Sequence, residues 1–120
     1  MRISTILNAC FHMPDLFYVE CTNILWKYVR AGVYDSAQAQ ANLDDLKLLR
    51  LTSTPTAALI QAALPLSITY GISAYDACYV ALSQRNQAPL LTQDQRLVNS
   101  LKNTDLDVQL FSDFIIPPMP

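Results

Sequence analysis

The chain has 120 residues, 52% hydrophobic and 15% charged, with a formal net charge of −2 and a pI near 5.0. That length suits one domain with a single core, and the acidic balance excludes a broadly basic surface that coats nucleic acid, leaving room for a local basic patch only. No run reaches the roughly 18 apolar residues of a membrane span, no secretory pattern opens the chain, and Cys10, Cys21 and Cys78 lack CxxC spacing, so reduced thiols in a cytoplasmic protein are expected.

Taken in chain order, helices alternate with short apolar strands, an α/β pattern. Pro14-Asp15 opens a helical segment reaching about Arg30, with Gly32 placed to end it. Asp35 or Ser36 caps a second helix through about Leu46, and Leu48 to Leu51 reads as a strand. Thr54-Pro55 starts a third helix ending at Tyr70 before Gly71, with a kink or split near Ala63 because Pro65 lies inside it. Ser73 caps a largely apolar helix ending near Arg85. Leu90 to Thr92 form a strand, Asp94 to about Leu101 a helix, and Val108 to Phe111 a last strand. The domain is expected over residues 1–114, with Ile115 to Pro120 a proline-rich tail.

Three acids stand out, each with an ordinary alternative. Glu20, Asn23, Lys27 and Arg30 share one face of the first helix. A solvated stripe accounts for them, whereas the hydrophobes around Glu20 suggest a partly buried carboxylate that needs a cation. Asp76, three residues after the Ser73 cap, complements the helix dipole. Asp94 caps a helix after a strand, and Thr92 satisfies backbone groups or bonds a carboxylate oxygen. In open α/β sheets ligands gather beyond the carboxyl ends of strands, where Asp94 falls and where helix starts such as Asp76 point. Hard oxygen donors of this kind suit Mg²⁺ or Mn²⁺ rather than zinc. With two glycines and no phosphate-cradling loop, nucleotide cradling is not expected.

Three blocks, in order, carry a likeness: the helix from Pro14 through Glu20, Asn23 and Trp26 to Gly32; the turn and helix Gly71-Ile72-Ser73-Ala74-Tyr75-Asp76-Ala77; and the strand end Leu90-Leu91-Thr92-Gln93-Asp94 with Arg96-Leu97. Together they resemble the PIN-domain family, most closely the prokaryotic VapC-type toxins of toxin–antitoxin pairs. The resemblance implies a doubly wound parallel sheet flanked by helices and an acidic cluster holding Mg²⁺ or Mn²⁺ for phosphodiester hydrolysis of RNA. Glu20, Asp76 and Asp94 match three of the family's catalytic and metal-binding acids. Asn23 and Thr92 would orient ligands or touch substrate, and Lys27, Arg30 and Arg96 are candidates for RNA phosphate contact. A cognate antitoxin would be the partner, and exposed apolar residues on the first helix hint at a homodimer.

The family's sheet begins with a central strand ending in an Asp, and this chain shows neither. Residues 1–13 correspond at best to the end of the helix that follows that strand, so weakened metal binding is expected, with Ser4 to Leu7, a donated strand or an upstream start as ways to fill the place. The alternative function is a catalytically degenerate PIN-like module that binds an antitoxin or another protein.

Overall fold

Met13 precedes Pro14, and the proline ring pushes the residue before it into extended backbone. In the structure, a computed structural model describing residues 11–113, this step lies in strand β1 (Phe11–Pro14). Phe11 to Met13 are therefore strand rather than a helix end. β1 pairs in parallel with β2 (Leu51–Thr54), Phe11 opposite Leu51 and Pro14 opposite Thr54. Asp15 extends the seam beyond the strands: its N–H donates to the Thr54 carbonyl at 2.9 Å, and its Oδ1 accepts from the Thr56 N–H at 3.0 Å.

Helix α1 (Leu16–Arg30) ends at Ala31, followed by Gly32 with φ 76, the left-handed geometry glycine adopts without a Cβ penalty. Helix α2 (Ser36–Leu48) is capped by Asp35, whose side chain accepts from the Gln38 N–H at 2.8 Å. It absorbs Leu48, and the strand expected over Leu48 to Leu51 begins only at Leu51. Leu48 and Leu49 are exposed, so no buried sheet position draws them out of the helical run, while Thr52 to Thr54 have the β-branched and small side chains that suit β2. Thr54 thus closes a strand instead of opening a helix.

After Pro55 comes a 3₁₀ turn (Thr56–Ala58), a break at Leu59, and helix α3 (Ile60–Tyr70), ended by Gly71 with φ 68. No split falls near Ala63: the break comes earlier, at Leu59, and Pro65 is carried inside a continuous helix. At the middle of α3 the proline forfeits one bond, to the carbonyl of the exposed residue Gln61, which water can satisfy. Helix α4 (Ala74–Asn86), strand β3 (Leu90–Thr92), helix α5 (Gln95–Leu101) and strand β4 (Val108–Leu110) follow, β3 and β4 pairing in parallel with Leu90 opposite Val108. Phe111 leaves the strand for a 3₁₀ turn (Phe111–Asp113).

α4 is the spine of the core. Ala77, Cys78, Val80, Ala81 and Leu82 are all buried, and Leu59, Ala63, Leu97, Leu101 and Leu106 close around it from α3, α5 and the segment before β4. Parallel strands with flanking helices make this an α/β fold. Among the described residues the strands form two pairs, β1–β2 and β3–β4, with no ladder joining them. Ser4 to Leu7, Cys10 and the tail 115–120 lie outside the described residues.

Candidate metal centre

Asp94 is placed by local chemistry. The strand β3 ends at Thr92, whose Oγ1 accepts from the Asp94 N–H at 3.0 Å, and Asp94 Oδ1 then accepts from the N–H groups of Arg96 at 2.9 Å and Leu97 at 3.3 Å. Of the two roles open to Thr92, the backbone one is realised. One carboxylate oxygen of Asp94 is committed to starting α5, and the residue as a whole is exposed.

Asp76 sits in the first turn of α4, its N–H donating to Ser73 Oγ at 3.1 Å. Burial raises its carboxyl above the usual aspartate range, the Ser73 hydrogen bond lowers it, and the negative charge of Asp94 raises it again. The starts of α4 and α5 thus bring two carboxylates within electrostatic reach of each other.

Of the two settings open to Glu20, the solvated one is realised. No residue of α1 is buried; Glu20 is exposed, and Val19, Ile24 and Trp26 on the same helix are exposed too. α1 packs on α2 and β1, so its apolar residues are only partly covered and do not enclose the carboxylate. Glu20 Oε1 instead accepts a hydrogen bond from the Tyr79 hydroxyl on α4. Burial first, and then the Glu20 hydrogen bond and charge, push the Tyr79 phenol up, so it stays a donor. Tyr79 also feels the negative charge of Asp76, one turn back along α4. The sequence reading passed over this tyrosine because its position falls within the apolar run of α4; the signal was its spacing of three from Asp76, which puts both on one helical face.

Among the described residues no three His, Cys, Asp or Glu side chains are grouped closely enough to hold one ion. Structure therefore couples Asp76 with Asp94 and holds Glu20 beside Tyr79. Two hard carboxylates whose ionised forms disfavour each other fit a hydrated Mg²⁺ or Mn²⁺, which needs only one or two protein carboxylates. Around them Asn23, Lys27, Arg30 and Arg96 are exposed, and the Arg30 guanidinium lies 5.9 Å from the centroid of the Trp26 ring, a cation–π contact. Cys21 and Cys78 are free thiols, both raised by burial first and then by a neighbouring acid, Glu20 and Asp15 respectively. No described helix is long and apolar enough to cross a membrane.

This α/β arrangement with acids at two helix starts is that of a PIN domain. The PIN domain family model matches residues 2–100, and the chain belongs to this family, among its VapC-type members. It is 36% identical over 90 residues to ribonuclease VapC3 of Pyrobaculum aerophilum, an alignment covering 72% of this chain and 67% of that protein.

Proposed function

We propose that this protein is a metal-dependent endoribonuclease of toxin–antitoxin type. The observation that carries the reading is the placement of Asp76 and Asp94 at the starts of α4 and α5, in a chain of the PIN family. The relative named a ribonuclease supports RNA as the substrate class. Asp76 and Asp94 would hold Mg²⁺ or Mn²⁺, with Glu20 as the third acid. The ion supplies positive charge at the scissile phosphate and acidifies a water for phosphodiester hydrolysis. Thr92 fixes the backbone of Asp94, and Arg96, the second residue of α5, and Lys27 on α1 face solvent where RNA phosphates can be met. Free Cys21 and Cys78 suit a reducing cytoplasm, and a cognate antitoxin would silence the enzyme by covering the acids.

The test is cleavage of a structured RNA by the purified chain with Mn²⁺, with EDTA and with Asp76→Asn. Internal cuts that need the metal and vanish in the variant support the proposal; undiminished cleavage by Asp76→Asn rejects it. The second reading, a degenerate binding module, is favoured by one observation, the lack of a three-acid group among the described residues. It requires antitoxin binding without metal-dependent cleavage.

A further inference from the structure

We infer that Tyr79 is the positioning residue for Glu20, its hydroxyl fixing that carboxylate against the face of α4 that also carries Asp76; the inference rests on the acidic-site reading above. Glu20 and Tyr79 are 59 residues apart in sequence and lie on α1 and α4. Glu20 lies on an exposed helix with no buried residue, and a glutamate there samples many rotamers. A donor on a second, rigid element removes that freedom.

Tyr79 is such a donor. It stands between buried Cys78 and Val80 on the spine of the core, itself half-buried, so its ring is fixed by packing while its hydroxyl reaches Glu20. One turn separates it from Asp76, so the same helical face presents one acid directly and holds a second through a hydrogen bond. A bond from a neutral donor to an ionised carboxylate is stronger and more directional than one between neutral groups. Residues that orient metal ligands typically matter ten- to a hundredfold for metal affinity or activity. Phe at this position keeps the packing and deletes only the donor.

The experiment is Mn²⁺ titration by calorimetry of the full chain and of Tyr79→Phe, Glu20→Gln and the double variant, with thermal unfolding of each. Expected are Mn²⁺ binding by the wild-type chain, about tenfold weaker binding by Tyr79→Phe with its unfolding midpoint nearly unchanged, and a double variant no weaker than Glu20→Gln alone. That last equality is what a merely structural tyrosine would not produce, since its effect would add to that of Glu20→Gln. Glu20→Asp, on an exposed site where the fold is not at risk, shortens the carboxylate away from the hydroxyl and is expected to weaken binding as Tyr79→Phe does. Unchanged affinity in Tyr79→Phe alongside loss in Glu20→Gln, or additive losses in the double variant, overturns the inference while leaving the nuclease reading intact. Absence of Mn²⁺ binding by the wild-type chain overturns both.

Discussion

Gln87 is the non-glycine residue of the described chain with left-handed backbone, at φ 51, where it ends α4 and lets the Ala88 N–H reach the Ser83 carbonyl at 3.1 Å. An L side chain in this region costs about 1–2 kcal/mol that glycine avoids, partly offset by glycine's greater freedom when unfolded. Gln87→Gly is thus expected to stabilise the fold by about 0.5–1 kcal/mol, read by denaturant unfolding. Asp76 makes the opposite case, a residue whose charge opposes folding. Its raised folded value means that its contribution to stability is full below the ordinary aspartate range and is lost as pH rises through the folded value. Asp76→Asn, measured in chelator, is expected to match or exceed wild type at pH 7 and to lack that decline, while cleavage is lost. A destabilised variant at pH 7 would mark Asp76 as a helix-dipole residue instead. The placements of Asp76 and Asp94 were legible in the sequence because caps are local chemistry. Tyr79 was not, since which neighbour a hydroxyl meets across 59 residues is decided by packing.

Elements with strong punctuation were read well and those defined by their partners were not. Gly32, Gly71, Ser73 and Asp35 end or cap helices as their residue types require. The limits of β1 and β2 depend on which backbone lies alongside, so local sequence makes Phe11 to Met13 a helix end and puts β2 three residues early. Whether α1 is buried depends on packing too: its apolar composition cannot say whether anything covers it. At the seam between β1 and β2, Asp15→Ala removes the acceptor for the Thr56 N–H and is expected to cost about 1 kcal/mol, measurable by chemical denaturation. In the core, Leu101, 1% exposed on α5, should cost about 2–5 kcal/mol when cut to Ala. A much smaller loss would mean that α5 is not held by the α4 spine.

At the scale of the molecule, apolar surface is left open. Ile60, Leu64 and Ile68 recur every four residues along α3, all exposed, on a helix without a charged side chain. The stripe is symmetric about Leu64 and suits pairing with a second copy across a two-fold axis. Leu64→Lys, which charges the centre of this stripe, is expected to lower any self-association of the chain in sedimentation, and an unchanged sedimentation coefficient would argue against pairing through α3. The α/β class and the helix-start positions of Asp76 and Asp94 came from alternating elements and caps, and parallel pairing only from the family resemblance; that the strands form two pairs among the described residues is decided by packing. The most direct measurement of the central claim is Mn²⁺ calorimetry on the 120-residue chain beside Asp94→Asn, in which asparagine still caps α5 but carries no charge. Saturable binding by the chain, weakened at least about tenfold in the folded variant, is expected of a metal-dependent nuclease. Equal heats from the two proteins would contradict a metal site at Asp94.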